Sequence, residues 1–198
     1  MAKLLARPTA EDDLLAQYRT VCTLFDPQRV ELIHGRIVVN DVPTWKHNKI
    51  ISRLLKQILA KATEEDWEVG TNTILFLGAQ KDRYIPDLTV APPDPKMFGD
   101  DAVHADDTIL VVEVVSPSSV NDDYLTKPPA YAAGGVPAFL RIDPLKSRAD
   151  LFSQPSAGGY IKHTDVKFGG EIKLPAPWNL TLDTAVFNDA EPTEDQPA

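Results

Sequence analysis

The chain has 198 residues, of which 43% are hydrophobic and 25% charged, a composition typical of one globular domain that excludes a wholly disordered or fibrous protein. Its 29 acidic and 20 basic residues give a net charge of -9, which disfavours a generic basic nucleic-acid-binding module because such modules bind mainly by neutralising phosphates. The single cysteine, Cys22, excludes an intrachain disulfide and a multi-cysteine zinc site. Without an apolar stretch of membrane-spanning or signal-peptide type, the chain is expected to be cytoplasmic.

The composition changes along the chain and predicts three regions. Residues 1–27 are predicted to be a helical extension, because apolar residues recur at helical spacing between positions 11 and 25. Residues 28–187 are predicted to form the main domain. Residues 188–198 contain four acids, two prolines and no base, which predicts a disordered acidic tail. Without the four charges of this tail, the rest of the chain keeps a net charge of -5.

The first predicted elements of the domain are a β-hairpin and a long helix. Residues 30–33 and 36–39 are β-rich runs on either side of His34-Gly35, and a two-residue turn ending in glycine is typical of hairpins. Residues 46–64 repeat apolar side chains at helical spacing, which predicts an amphipathic helix.

The remainder of the domain is predicted to be mostly strands. Residues 68–77, 84–90 and 108–115 are each predicted as one strand, and the last is almost wholly apolar, as in a strand buried on both faces. The proline-rich and acidic residues 91–107 are predicted to be an exposed excursion. Later elements are a helix at 129–133 and strands at 138–142, 150–152, 160–164 and 171–174. This order predicts an α/β (α+β) fold, with a mixed sheet flanked by helices.

Glu113 is the first candidate for a functional residue, because it lies within the apolar run 111–115. An edge strand with one solvated face would explain it, but no polar stripe runs along this segment. A functional carboxylate is the favoured interpretation, because a buried carboxylate needs a partner or a metal.

Asp87 is the second candidate, although Pro86-Asp87 is also a common turn pair. Its interest comes from being the acid of the strand that precedes the strand of Glu113. Two acids on adjacent strands, both near one end of the sheet, would suit Mg²⁺, which takes oxygen ligands from one or two carboxylates, water and phosphate.

Further motifs accompany these acids in a fixed order. They are Glu31-Leu-Ile-His-Gly35, Ile37-Val-Val39, His47 at the start of the long helix, Tyr84-Ile-Pro-Asp87, Val111-Val-Glu113-Val-Val-Ser116-Pro-Ser, Asp123, Lys127, Tyr131, Gly134-Gly-Val-Pro137 and Ile142-Asp-Pro144. Over roughly residues 28–187, the set resembles the Uma2 family of bacterial endonuclease-like proteins. The resemblance implies the restriction endonuclease-like fold of the PD-(D/E)xK superfamily, here with added β-hairpins.

The resemblance also implies roles for individual residues. Asp87 and Glu113 match the two acids that would bind Mg²⁺, for which Mn²⁺ can substitute, and Glu31 matches an acid that would complete the metal shell. The superfamily places a lysine two residues after the second acid, where this chain has Val115. Lys127 matches the downstream lysine that is thought to replace it.

Two interpretations of Lys127 stay open at this stage. Because Pro128 follows it, Lys127 is predicted to lie just ahead of the helix rather than on its face. Its ammonium would then either reach the site as a catalytic group or pair with the neighbouring Asp122 and Asp123.

The long helix offers further groups whose roles stay open. Its basic residues share one face and form either a solvated surface or a phosphate-contacting stripe. They are Lys46, Lys49, Arg53 and Lys56. His47 would cap the helix, orient a site carboxylate, or do neither.

The leading functional hypothesis is a Mg²⁺-dependent endonuclease acting on DNA, with Asp87, Glu113 and Lys127 as catalytic residues and Asp87, Glu113 and Glu31 as metal ligands. The alternatives are a catalytically inactive binding or scaffold protein with the same fold, and hydrolysis of another phosphoester. A homodimer is compatible with the resemblance.

Overall fold

The computed structural model describes residues 10–26, 28–78 and 81–188, so the predicted acidic tail from residue 189 onward lies outside the described residues. The α-helices are α1 (Ala10–Leu24), α2 (Trp45–Glu64) and α3 (Lys127–Ala133). The strands are β1 (Val30–Ile33), β2 (Arg36–Val39), β3 (Glu68–Gly70), β4 (Ile74–Leu77), β5 (Asp82–Tyr84), β6 (Leu88–Ala91), β7 (Met97–Phe98), β8 (Ala102–His104), β9 (Leu110–Val114), β10 (Ala138–Asp143), β11 (Arg148–Ser156), β12 (Gly159–Lys167), β13 (Glu171–Lys173) and β14 (Thr181–Asp183). None of the helices in the described part combines the length and apolarity needed to cross a membrane.

The central sheet has the strand order β12-β11-β10-β9-β6-β3, in which β9 and β10 are parallel and the other neighbours antiparallel. The long helix α2 covers one face of this sheet, since its buried Ile50, Leu54 and Ile58 belong to the same core cluster as Val112 and Val114. Strand β9 is buried along its whole length, as its apolar sequence predicts.

The pleat of β9 places its residues alternately on the two faces of the sheet. Val112 and Val114 pack with α2, whereas Val111 packs with Ala130 and Tyr131 of α3. Glu113 therefore shares the α3 face with Val111, and this alternation brings the buried carboxylate to the helix that begins with Lys127.

The second six-stranded sheet has the order β2-β1-β5-β4-β8-β7. Its β1–β2 hairpin has the predicted boundaries, and His34 and Gly35 both have positive φ angles, 47° and 73°, as a type I′ turn requires. Helix α1 packs on this hairpin, where the Tyr18 hydroxyl donates to the carbonyl of Val30 at 3.2 Å.

Two stretches predicted as single strands are each divided between the sheets. Residues 68–77 form β3 in the central sheet and β4 in the second sheet, with Asn72 at a φ of 59° in the turn between them. Residues 84–90 leave the second sheet after β5 and enter the central sheet at β6. Pro86 lies in this link and not in a strand, where its missing N–H would interrupt the hydrogen-bond ladder.

The expectation of an exposed excursion at 91–107 is only partly correct. Residues 92–101 are half-buried or exposed, but β7 and β8 extend the second sheet, and Ala102 and Val103 are buried. Short apolar strands between acidic residues lack a clear period in the sequence, and tertiary packing supplies the burial.

The expectation that Lys127 lies ahead of the helix is wrong. A π-helical turn at Asp122–Thr126 continues directly into α3, and Lys127 has helical angles of φ -69° and ψ -43°. Pro128 disfavours but does not forbid this conformation, and prolines fit the first helical turn because their missing N–H has no partner there.

Candidate active site

A cleft of about 640 Å³ opens beside the start of α2, the β1–β2 hairpin and the end of β9. Four residues singled out in the sequence line this cleft together: Glu31, Asp87, Glu113 and Lys127. They come from four different parts of the chain, so the fold brings together groups that are up to 96 positions apart.

Strand pairing places Asp87 beside the end of β9. Leu88 pairs with Val112 in the antiparallel ladder of β6 and β9, and Asp87 immediately precedes Leu88. The backbone N–H of Val114 donates to Oδ2 of Asp87 at 2.8 Å. The carboxyl group of Asp87 is thus hydrogen-bonded to the backbone of the residue that follows Glu113.

Two further groups hold the Asp87 carboxylate. Nη1 of Arg29 lies 2.7 Å from Oδ1, and Nε2 of His47 donates to Oδ2 at 2.9 Å. Although burial acts to raise the pKa of Asp87, the His47 hydrogen bond and the charges of His47, Arg29 and Lys127 lower it to about 2. Of the three roles left open for His47, the structure shows that it orients a carboxylate, while Thr44 provides the helix cap.

This environment predicts a pH-dependent contribution of Asp87 to stability. Because its pKa falls from 3.8 to about 2, the ionised form stabilises the fold by about 2 kcal/mol above the unfolded-state pKa, and this contribution is lost as the pH falls through the folded-state pKa. Asp87→Asn should therefore destabilise the protein more at about pH 6 than at about pH 3. Urea unfolding at both pH values measures the difference, and an equal loss at both would contradict the prediction.

Glu113 is buried and has two partners on the α3 side of the sheet. Its Oε1 accepts a hydrogen bond from the Tyr131 hydroxyl at 2.5 Å and lies 2.9 Å from Nζ of Lys127. Burial acts to raise the pKa of Glu113, whereas the ammonium of Lys127, 2.9 Å away, favours the ionised carboxylate. The edge-strand interpretation of Glu113 is therefore wrong, because no solvated face surrounds it.

Lys127 reaches the site and also pairs with its neighbour. Its Nζ lies 2.9 Å from Glu113 and 2.9 Å from Oδ1 of Asp123, whereas Asp122 pairs with Arg36. Burial lowers the pKa of Lys127, but the surrounding carboxylates outweigh this effect and raise the pKa well above its usual value. The ammonium therefore stays charged, which suits electrostatic stabilisation rather than proton abstraction.

Glu31 links the hairpin to the segment that carries Asp87. Its Oε1 accepts from the backbone N–H of Ile85 and its Oε2 accepts from the Asn40 side chain, both at 2.7 Å. Each carboxylate oxygen has a second lone pair, so these bonds leave Glu31 able to accept further ligands.

The basic face of α2 meets the cleft only at its first turn. Lys46 lines the cleft, while Nη1 of Arg53 donates to the carbonyl of Asn188 at 3.3 Å. For Lys49 and Lys56, the choice between a solvated surface and a phosphate contact stays open.

Three site residues carried no assigned role in the sequence: Arg29, Asn40 and Tyr131. Tyr131 belongs to the motif set and follows Lys127 by one helical turn, a spacing that could have signalled a shared partner. Arg29 contacts Asp87 across 58 positions, and no local pattern marks such a contact.

Comparison with known proteins assigns the chain to a family. The family model Uma2, described as "Putative restriction endonuclease", matches residues 15–185. A crystal structure described as "a putative nuclease belonging to DUF820" from Anabaena variabilis is similar, with a TM-score of 0.60 and 16% sequence identity over 81% of this chain and 89% of that chain. That similarity confirms the predicted fold class, and no curated protein matches. The match over most of the sequence shows that this chain belongs to the Uma2 family.

Proposed function

We propose that this protein is a Mg²⁺-dependent endonuclease that hydrolyses DNA phosphodiester bonds. The observation that carries the proposal is the meeting of Asp87, Glu113 and Lys127 in one cleft, from three separate parts of the chain. The family description of a restriction endonuclease supports the same class of reaction.

The chemistry of the donor set fits Mg²⁺. Asp87 and Glu113 would hold the ion, and Glu31 would complete its shell. Among the described residues, no group of three or more His, Cys, Asp or Glu side chains is already arranged to hold a metal ion. Mg²⁺ needs fewer protein ligands, because it usually keeps several waters and takes one or two carboxylates plus substrate phosphate. The bound ion would lower the pKa of a water molecule and polarise the phosphate.

The residues around this centre have separate tasks. His47 and the Val114 N–H keep the ionised Asp87 carboxylate oriented through Oδ2. Tyr131 fixes Oε1 of Glu113. The permanently charged Lys127 would stabilise negative charge that develops on the phosphate, an effect that is strong in a site shielded from water.

A non-catalytic scaffold protein is the second candidate, and one observation favours it. The site acids are already paired within the protein, Asp87 with Arg29 and Glu113 with Lys127. A centre neutralised in this way can be stable without a cation.

Thermal unfolding with Mn²⁺ separates these two functions. A formed site should raise the melting temperature by on the order of 5 °C at saturating Mn²⁺, because a ligand of the folded state stabilises it. Glu113→Gln should abolish this rise, whereas Glu171→Gln, an exposed substitution on β13, should keep it. The natural protein should also nick supercoiled plasmid with Mg²⁺ or Mn²⁺ and not with EDTA. No thermal shift at millimolar metal and no nicking would favour the scaffold.

A further inference from the structure

Arg29 places a positive charge among the carboxylates of the site. Its Nη1 lies 2.7 Å from Oδ1 of Asp87, its side chain is 18% exposed, and it lines the cleft. Burial acts to lower the pKa of Arg29, but Asp87, Glu113 and Glu31 raise it. A guanidinium group therefore pairs with Asp87, one of the acids that the proposed function assigns to a divalent cation.

The Asp87 carboxylate does not depend on Arg29 for its orientation. Its Oδ2 accepts from both His47 and the backbone N–H of Val114, while Arg29 contacts Oδ1. A divalent cation held by Asp87 would therefore compete with the guanidinium, while Oδ2 keeps its hydrogen bonds to His47 and Val114. The cation carries twice the charge of Arg29, which favours the exchange.

A displaced guanidinium in this position needs a new anion. A partly buried charge is costly without a partner, and Nε of Arg29 is already a buried donor without a hydrogen-bond partner among the described residues. The planar fork of guanidinium donors matches phosphate oxygens well. A nucleic-acid phosphate entering the cleft would satisfy both the charge and the unpaired donor.

We propose that Arg29 is a phosphate-binding residue of this site: it pairs with Asp87 in the metal-free protein and, once a cation occupies Oδ1, binds a phosphate oxygen of the nucleic acid. The inference rests on the proposed function for its ligand. It assigns Arg29 two successive partners, a carboxylate before metal binding and a phosphate after it.

The test compares Arg29→Met with Arg19→Met, a matched substitution of an exposed arginine on α1. Binding of a short fluorescein-labelled DNA duplex is measured by anisotropy in Ca²⁺ over a range of salt concentrations. Arg29→Met should weaken binding by about 10- to 100-fold, the loss expected for a charged hydrogen bond. The slope of log Kd against log salt should fall by about one, as for one lost phosphate contact. Arg19→Met should leave the affinity and the slope unchanged.

Thermal unfolding with Mn²⁺ in the absence of DNA distinguishes phosphate binding from a purely structural role. If Arg29 binds phosphate, Arg29→Met should keep or enlarge the Mn²⁺-induced stabilisation, because the competing guanidinium is gone. Arg29→Lys should restore most of the salt slope with weaker affinity, since it keeps the charge without the fork. A diminished Mn²⁺ shift with an unchanged salt slope would show that Arg29 only supports Asp87, and would overturn the inference.

The outcomes also separate this inference from the proposed function. An Arg29-dependent salt slope without plasmid nicking would overturn the nuclease activity and support phosphate binding by Arg29. Nicking by the natural protein, with equal DNA binding by Arg29→Met, would overturn the role of Arg29 alone. No binding of the duplex by the natural protein would overturn both.

Discussion

Replacing Asp87 or Glu113 by alanine should abolish metal-dependent plasmid nicking, with a loss of at least about 10²- to 10³-fold, the scale known for removal of one preorganised electrostatic group. Each substitution removes a carboxylate that the proposed function assigns to the cation. The rate of conversion of supercoiled to open-circular plasmid, measured in Mg²⁺ and in Mn²⁺, gives the comparison. Equal activity in the natural protein and in both variants would contradict the nuclease function.

Controls for this experiment must separate lost chemistry from lost structure. Asp87 and Glu113 are both buried and paired, so their alanine variants remove an ion-pair partner from Arg29 and from Lys127 respectively. Asp87→Asn and Glu113→Gln keep the side-chain shape and should be as inactive as the alanine variants. Glu171→Ala changes an exposed acid on β13 and should keep full activity. Thermal unfolding of every variant shows which of them remain folded.

Lys127→Met should destabilise the metal-free protein by about 3–5 kcal/mol, the cost of removing one partner from a buried ion pair. Lys127 contacts both Glu113 and Asp123, and all three side chains are at least nine-tenths buried. Without the ammonium, two buried carboxylates lose their cationic partner. Urea unfolding at neutral pH measures the loss, and a value below about 1 kcal/mol, typical of exposed pairs, would contradict the prediction.

A second substitution tests the origin of that loss. Lys127→Met combined with Glu113→Gln removes one unpaired charge and should recover part of the stability, because the two residues are in contact and their effects are not additive. If the double variant instead loses as much stability as the two single variants added together, Lys127 contributes through packing of its alkyl chain rather than through its charge.

The elements that could be predicted from the sequence are those with a strong local signal. The hairpin at His34-Gly35 has its predicted boundaries because the turn conformation is a property of those two residues. Helix α2 begins within one residue of its predicted start and ends at its predicted last residue, since its apolar period fixes which face is buried. The paired strands β11 and β12 were also predicted, but the predicted strands are shorter than the observed ones.

Elements that depend on distant parts of the chain were predicted less well. Residues 68–77 have a continuous β pattern, but the turn at Asn72 moves the chain from one sheet to the other. Lys127 adopts a helical conformation against the preference of a residue before proline, and two buried carboxylates hold its ammonium there. In both cases the local preference is a small energy compared with the burial and pairing that the fold provides.

The amino-acid sequence was sufficient to single out Glu113 and Asp87 as candidates. A carboxylate in an apolar run stands out by itself, and Asp87 gains interest as the acid of the strand that precedes it. The sequence could not show that Arg29 and His47 hold Asp87, nor that Lys127 lies between Glu113 and Asp123. Periodicity and turn chemistry act between residues that are close in the chain, so they indicate which face of an element is buried. The partners of a buried charge depend on which elements meet in space, and that is decided by packing of the whole chain.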